Sequence, residues 1–273
     1  MTYCVGILVN DGLVFASDTR TSASFDDVRT HTKMHAFDFP GERSFVLMSA
    51  GNLGTTQSLL ARLQRDLDDA AATTLRTPRR LFEVAEYIGQ TLVAAQGKAS
   101  PATELGTVSL ESTLIFGGQI GNEPPGLFLI YPLGNCIASS PETPYLQIGE
   151  SKYGKPILDR VIRSTTTLED ASRCALVSLD STMRSNVSVG LSIDLALMRY
   201  GECQIAEWMR LEADSPLFAS LQDEWSIKLE AAVRTLPRFP WEQPAAAVIP
   251  LPLPVTCPVM TIDSSLPGQT HYQ

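Results

Sequence analysis

Hydrophobic and polar residues alternate from the first residues of the chain, MTYCVGILVNDGLVFASDTR. In a strand with a period of two, these residues form two faces, with Cys4, Gly6 and Leu8 on one and Tyr3, Val5, Ile7 and Val9 on the other. The tripeptide Asn10-Asp11-Gly12 is typical of a tight hairpin turn, and residues 13–19 alternate again as the returning strand. The pattern therefore predicts that the first residues of the chain are held in a sheet.

The remaining alternating or short apolar stretches predict further strands at residues 29–37, 44–50, 112–116, 126–131, 136–139, 145–148, 194–200 and 203–211. Apolar residues at helical spacing predict five helices between them. These helices begin after Gly51-Asn52, after Thr77-Pro78, near residue 153, at Thr167 and at Ser215-Pro216. The last helix is expected to bury a stripe formed by Leu217, Leu221, Trp225 and Leu229.

The order of the predicted elements indicates the fold class. Hairpin-connected strands alternate with pairs of helices, which favours two antiparallel sheets with helix layers outside. We therefore predict an α+β fold over residues 1–239, a four-layer αββα sandwich of the kind that recurs in enzymes whose first residue is the nucleophile. Residues 97–111 are expected to form a loop. Seven prolines in residues 240–273 exclude helix and central strand and predict an extended or disordered arm.

Composition and charge argue against several classes of partner. A chain of 273 residues that is 44% hydrophobic can bury a large core. Its net charge of −9 argues against nucleic acid and anionic membrane surfaces as partners. No apolar run reaches the roughly 20 residues of a membrane span, and no signal-peptide pattern precedes the first strand, so we expect a cytoplasmic location. The five cysteines show no C-x-x-C spacing and are expected to be reduced thiols.

Residue 2 carries a potential nucleophile. Removal of Met1 would give Thr2 both a hydroxyl and a free α-amine with a pKa of about 7.7–8.0, which suits a general base. Asp18 ends the returning strand of the first hairpin, and Lys33 lies among apolar or small residues in the stretch 29–37. Paired beside Thr2, the two would hold a positive charge near its hydroxyl. Taken alone, Asp18 is typical of a solvated hairpin end and Lys33 of an edge strand.

The same segments resemble a known family. The residues M-T at 1–2, S-D-T-R at 17–20, Lys33 and A-G at 50–51 are similar to those of proteasome β-type subunits. The details T-Y-C-V-G, F-A-S-D-T-R-T, T-K-M and V-L-M-S-A-G-N-L are similar to the bacterial branch called Anbu, the ancestral β subunit. The resemblance covers about residues 2–235 and implies an N-terminal nucleophile hydrolase fold.

The resemblance also implies roles for individual residues. The catalytic group would consist of the nucleophile Thr2, its charge partners Asp18 and Lys33, and the backbone N–H of Gly51 as oxyanion hole. The substrate-binding side would consist of Arg20, Ser49 and Leu53.

Two motifs of the family are altered in this chain. A Gly-Ser-Gly-type loop normally supplies a serine near the amine of the nucleophile, but residues 148–154 read I-G-E-S-K-Y-G, so Glu150 or Ser151 takes this place, and we favour Ser151. A later Asp-x-x-Ser-Gly pattern corresponds to S-N-V-S-V-G at 185–190, where Ser188 retains the hydroxyl and Ser185 or Asn186 replaces the aspartate. Both changes affect the proton relay around the amine, which is compatible with weak or narrow activity on ordinary peptides.

The predicted function is that of a threonine-type peptidase acting on peptides or unfolded proteins within a homo-oligomer, a ring or an open spiral, without a cofactor. Two alternatives stay open. The chain could be an N-terminal-nucleophile amidohydrolase or ligase acting on a small amide, or a catalytically weak assembly subunit. An ATP-dependent unfoldase partner is not determined by the sequence.

Three other signals favour structural explanations. His31 and His35 follow a strand pattern and are not expected to bind a metal. The stretch G-G-Q-I-G at 117–121 is expected to form a hairpin loop, because two prolines follow it where a phosphate loop would continue into a helix. Cys4 has no positioned base and is expected to point into the sheet.

Overall fold

The computed structural model describes residues 2–22, 28–97 and 109–242, and twelve strands in these residues form two five-stranded antiparallel sheets and a short hairpin. Sheet I contains β1 (Tyr3–Val9), β2 (Gly12–Asp18), β10 (Tyr145–Gly149), β11 (Ile193–Arg199) and β12 (Glu207–Leu211), in the order β10-β1-β2-β11-β12. Sheet II contains β5 (Met34–Phe39), β6 (Arg43–Gly51), β7 (Ser112–Ile120), β8 (Gly126–Ile130) and β9 (Cys136–Ala138), ordered as in the sequence. The hairpin is formed by β3 (Arg20–Ser22) and β4 (Val28–Thr30).

Helices cover the outer face of each sheet. Helices α1 (Leu53–Asp68) and α2 (Leu81–Gly97) pack on sheet II, and helices α3 (Lys155–Val161) and α4 (Leu168–Ser185) lie on the outer side of sheet I. Helix α5 (Pro216–Arg234) follows β12 and contributes the buried Phe218 to the same outer layer. The layers are therefore helix, sheet, sheet and helix, and the predicted α+β sandwich is confirmed.

Three apolar layers hold the fold together, and the two faces of β1 belong to two of them. Tyr3, Val5, Ile7 and Val9 face the helices of sheet I, whereas Cys4 and Leu8 face the layer between the sheets. A third cluster packs sheet II against α1 and α2 around the tilted rings of Phe45 and Phe116. Removing apolar side chains from water in three stacked layers is the main stabilising contribution to such a fold.

Local sequence signals account for several boundaries. The Asn10-Asp11 turn joins β1 to β2 with Val9 opposite Gly12. Thr167 is the N-cap of α4, and its side chain accepts a hydrogen bond from the Asp170 N–H. Asn52 caps α1 in the same way, through the N–H of Thr55.

Four predicted elements differ from the observed ones. The single strand predicted at 29–37 is interrupted at residues 31–33, because β4 pairs in the small hairpin and β5 pairs in sheet II. Residues 117–120 belong to β7, so the predicted hairpin loop begins only at Gly121. Strand β12 begins at Glu207, not at residue 203. In the predicted stripe of α5, Leu221 and Trp225 are partly buried, whereas Leu217 is 54% exposed and Leu229 is 46% exposed. The buried residue of this helix is Phe218.

The contacts divide the chain into a unit of residues Met1–Lys228 and a second unit from Leu229 to Gln273. Of the second unit, the structure describes the end of α5 and a 3-10 turn at Pro240–Glu242, where the rings of Phe239 and Trp241 stack. Most of the predicted loop at 97–111 and most of the predicted arm at 240–273 lie outside the described residues. In the part of the chain that is described, no helix is long and apolar enough to cross a membrane.

Candidate active site

A buried ion pair lies at the end of sheet I where β1 begins. Asp18, the last residue of β2, is completely buried, and its Oδ1 lies 2.7 Å from the Nζ of Lys33. Lys33 precedes β5, is 5% exposed, and also donates to the carbonyl of Arg20 at 2.6 Å. The fold thus brings together two charged residues that the sequence separates, one at the end of β2 in sheet I and one directly before β5 of sheet II. A buried charge requires this kind of partner.

Two backbone groups complete the surroundings of Asp18. Its Oδ1 accepts a hydrogen bond from the N–H of Tyr3 at 3.0 Å, and its Oδ2 accepts one from the N–H of Gly190 at 3.4 Å. Burial raises the pKa of the Asp18 carboxyl, whereas the Lys33 ammonium and the two N–H groups oppose that rise by stabilising the carboxylate. The carboxylate therefore fixes the main chain directly after residue 2.

Thr2 is half-buried and is held from the other side by the end of β10. Its carbonyl accepts a hydrogen bond from the N–H of Glu150 at 2.7 Å. Gly149 has a φ of +82°, and a Cβ on it would lie 1.9 Å from the Thr2 carbonyl oxygen. Only glycine allows so close an approach in this conformation. The main chain of residues 2 and 3 is thus fixed between Glu150 and Asp18.

A cleft of about 910 Å³ opens beside this end of the two sheets. Its lining includes Gly149 and, from the opposite side, Gly51 at the end of β6 and Leu53 at the start of α1. Gly51 has a φ of +119°, and a Cβ there would lie 2.4 Å from the Glu111 carbonyl oxygen. The main chain therefore lines the cleft at Gly51, where backbone donors can approach a bound group.

The other predicted substrate-binding residues lie around this cleft in different ways. Ser49 is buried and is not part of the cleft lining; its N–H donates to the carbonyl of Lys33 at 3.1 Å. The guanidinium of Arg20 donates to the carbonyl of Val187 at 2.8 Å and so is directed toward the loop after α4. Thr21, which the sequence did not single out, lines the cleft.

The two altered motifs meet beside residue 2. The Glu150 carboxylate, in a residue that is 7% exposed, accepts a hydrogen bond from the side-chain amide of Asn186 at 2.8 Å. The Asn186 Oδ1 in turn accepts from the N–H of Ser188 at 2.9 Å. Ser151 donates its N–H to the carbonyl of Gly149 at 3.0 Å. The residue that links the loop both to Thr2 and to the segment after α4 is thus Glu150, whereas the sequence favoured Ser151 for this place.

Gly149 and Gly190 are contacts of residue 2 and of Asp18 that sequence reasoning missed. A glycine at a strand end, as in I-G-E-S, is a signal for a positive φ or a close backbone approach, and could have pointed to Gly149. Gly190 gave no comparable signal, since its contact with Asp18 depends on the packing of the loop after α4.

Cys4, which is buried, and His35, which is partly buried, are two other residues that could have taken part in chemistry. Burial raises the pKa of the Cys4 thiol, and its Sγ donates to the carbonyl of Ser49 in the layer between the sheets. Burial lowers the pKa of His35. Within residues 2–22, 28–97 and 109–242, no group of three or more His, Cys, Asp and Glu side chains is arranged to hold a metal ion.

Comparisons with known proteins identify related chains of the same fold. A family model described as "Proteasome subunit" matches residues 2–198. The structure of Anbu (ancestral beta-subunit) from Yersinia bercovieri is 41% identical, with a TM-score of 0.81 over 87% of this chain and 99% of that chain. A helical assembly of the Anbu complex from Pseudomonas aeruginosa contains a chain that is 41% identical, with a TM-score of 0.82 over 87% of this chain and 98% of that one. A Gly-1 mutant of Anbu from Hyphomicrobium sp. strain MC1 is 40% identical, with a TM-score of 0.82 over 88% of this chain and 99% of that one.

Proposed function

Because the chain belongs to the proteasome β-type subunit family, in its Anbu branch, we propose that it is a threonine-type peptidase whose nucleophile is Thr2, exposed by removal of Met1. The observation that carries this proposal is the buried pair of Asp18 and Lys33, whose carboxylate is bonded to the N–H of Tyr3. This places an ammonium group at the strand end from which Thr2 extends. Threonine with its own α-amine is a recognised form of activated nucleophile.

In the proposed reaction, Thr2 Oγ1 forms a bond to the carbonyl carbon of the scissile amide and its proton passes to the α-amine of the same residue. The C–N bond then breaks, and the leaving amine takes up that proton. The resulting ester on Thr2 is hydrolysed by a water molecule that the freed α-amine deprotonates. The Lys33 ammonium stabilises negative charge on Oγ1, and Asp18 keeps that ammonium in place.

The cleft supplies the remaining elements of the proposal. The N–H of Gly51, next to the N-terminus of α1, would bind the oxygen of the tetrahedral intermediate. Leu53 contributes an apolar wall for the substrate residue before the scissile bond. Ser188, bonded through its N–H to Asn186, would contribute to the hydrogen-bond network around the amine.

We further propose that the chain acts within an assembly of its own copies, in the cytoplasm, on peptides or unfolded proteins. The support is the similarity to the Pseudomonas aeruginosa chain, whose structure is that of a helical assembly. An assembly would limit access of folded proteins to the cleft beside Thr2.

The test combines the mass of the N-terminal peptide with a covalent probe. We expect purified protein to begin at Thr2 and a β-lactone probe to label Thr2 in the wild type, whereas Thr2→Ala remains unlabelled and Thr2→Ser retains labelling. Retention of Met1, or labelling that persists in Thr2→Ala, would contradict the proposal. Hydrolysis of a peptide library, compared with that of small amides such as glutamine, then separates a peptidase from a small-amide hydrolase.

A further inference from the structure

We infer that Glu150, held by Asn186, is the anionic positioning residue for the α-amine of Thr2. The inference rests on the proposed function, because it concerns the amine that removal of Met1 would expose. It assigns to Glu150 a role that the sequence favoured for Ser151, and it assigns to Asn186 the orientation of the carboxylate.

The first support is the main chain. The N–H of Glu150 donates to the Thr2 carbonyl at 2.7 Å, so Glu150 is the residue of the β10 end that is bonded directly to residue 2. The absent side chain of Gly149 lets the two segments approach, since a Cβ would overlap the Thr2 carbonyl oxygen. The Cα of Glu150 is therefore fixed beside the residue that carries the amine.

The second support is the Glu150 side chain. Its carboxylate is nearly buried, with the side chain 8% exposed, and Oε2 accepts from the Asn186 amide at 2.8 Å. Lys152 is the cation nearest to it in the described chain, with its Nζ 3.6 Å from Oε1, but the Lys152 side chain is 67% exposed. An exposed lysine compensates a buried carboxylate only weakly, which leaves room for a second cation.

The third support is the loop at 186–190, which is bonded to both acidic residues that hold residues 2 and 3, Glu150 and Asp18. Asn186 bonds Glu150 at its start, and the N–H of Gly190 bonds Asp18 at its end. Residues 2 and 3 are bonded to the same two acidic residues, through the Thr2 carbonyl and the Tyr3 N–H. The start of the chain is thus enclosed by Asp18, the loop and Glu150.

The other charged groups near this start already have partners. Asp18 and Lys33 pair with each other, and the Arg20 guanidinium bonds the Val187 carbonyl. Ser151 is bonded through its main chain, since its N–H donates to the Gly149 carbonyl and its carbonyl accepts from the N–H of Lys155 at the start of α3. Glu150 is therefore the carboxylate available to the ammonium form of the Thr2 amine.

The experiment measures the pKa of that amine directly. Protein with Thr2 as its first residue is released from an N-terminal fusion, so the measurement does not depend on removal of Met1 in the cell. Trace acetylation at a series of pH values, followed by the mass of the N-terminal peptide, gives the fraction of free amine. An opposite charge favours the ammonium form, so Glu150→Gln is expected to lower the pKa of the amine by about one unit.

Two further variants separate charge from structure. Glu150→Gln combined with Asn186→Asp keeps an amide bonded to a carboxylate but moves the negative charge to position 186. This double variant is expected to reverse most of the fall in the pKa of the Thr2 amine. Glu169→Gln removes an equal charge from the exposed first turn of α4 and is expected to leave the pKa of the Thr2 amine unchanged. Far-UV circular dichroism checks that each variant folds.

The outcomes distinguish the inference from the proposed function. An amine pKa that is the same in Glu150→Gln and the wild type overturns the role of Glu150, even if the probe labels Thr2. A fall of similar size in Glu169→Gln also overturns it. If the pKa falls only in Glu150→Gln while the β-lactone labels no form of the protein, the positioning role stands and the peptidase proposal fails.

Discussion

Asp18 and Asp194 lie on the neighbouring strands β2 and β11, and both are completely buried, yet they bind different cations. Asp194 is bonded through both oxygens to Arg210, its cross-strand neighbour on β12, at 2.7 and 2.9 Å. Asp18 is bonded to Lys33, which approaches from the segment before β5 of sheet II. The side chain of Arg210 is 40% exposed, whereas that of Lys33 is 6% exposed.

The difference separates a structural ion pair from the pair to which the proposed function assigns a catalytic role. The planar guanidinium of Arg210 occupies both carboxylate oxygens, also donates to the Thr32 hydroxyl at 3.1 Å and stays partly exposed, so this pair fastens the edge strand β12. The ammonium of Lys33 is a compact charge, and Asp18 shares its oxygens with the N–H groups of Tyr3 and Gly190. The second pair therefore joins the two sheets at the residue next to Thr2.

The largest expected difference between the pairs is in stability. Asp18→Asn leaves the Lys33 ammonium buried without its carboxylate and is expected to lower the free energy of unfolding by about 3–5 kcal/mol. Asp194→Asn leaves a cation that already reaches water, so a loss of about 1.5 kcal/mol is expected. Urea unfolding at one fixed protein concentration measures both. Equal losses would show that burial of the cation does not distinguish the two pairs.

The second difference concerns activity. Lys33→Met removes the positive charge beside Thr2 and is expected to slow β-lactone labelling of Thr2 by about 100-fold. Arg210→Met removes the partner of Asp194 on β12, which lies two strands from β2 in sheet I, and is expected to leave labelling unchanged. The rate of labelling, read from intact mass, checks both variants. The double variant Asp18→Asn/Lys33→Met has no charge at either position of this pair, so labelling that is lost there as well cannot be attributed to an unpaired Asp18.

The sequence predicts the position of Asp18 better than that of Lys33. The alternation in residues 3–9 and the Asn10-Asp11-Gly12 turn are local signals, and they correctly place Asp18 at the end of β2 beside the start of β1. Lys33 was predicted inside one continuous strand. The alternation of apolar and polar residues continues across residues 31–33, so the sequence shows no break there. The strand is interrupted because β4 pairs with β3, whereas β5 pairs with β6.

Loop and helix orientation are where prediction from the pattern fails. Helical spacing in α5 predicts a buried stripe of Leu217, Leu221, Trp225 and Leu229. Leu221 does pack against the core, but Leu217 and Leu229 are exposed and Phe218 is buried, because spacing alone does not fix which side of a helix meets the core. Between Glu150 and Ser151, no periodicity applies. Their roles depend on the main-chain bond of Glu150 to Thr2 and on Asn186, which follows from long-range packing.

Gly149 and Gly201 allow a similar comparison for the main chain, because they share a conformation but differ in their surroundings. Their φ angles are +82° and +84°, but a Cβ on Gly201 meets no atom within 4 Å, whereas one on Gly149 overlaps the Thr2 carbonyl. Alanine costs about 1–2 kcal/mol in this conformation at either position. Gly149→Ala is expected in addition to displace Thr2 and slow its labelling by about tenfold. Equal labelling of the two variants would show that the approach of Gly149 to Thr2 does not position the nucleophile.

The smallest expected effect concerns Cys4, which tests whether the charge of Lys33 activates any nucleophile nearby. Lys33 lowers the pKa of the Cys4 thiol, but burial raises it by more, so the thiol is expected to stay protonated and unreactive. Iodoacetamide at pH 8 should leave the Cys4 peptide unmodified in the folded protein and alkylate it in denaturant. Alkylation of Cys4 in folded protein, or β-lactone labelling of Cys4 in Thr2→Ala, would mean that proximity to the Asp18–Lys33 pair is sufficient for reactivity. An unmodified Cys4 would instead show that burial keeps the thiol unreactive although Lys33 favours the thiolate, whereas Thr2 is only half-buried.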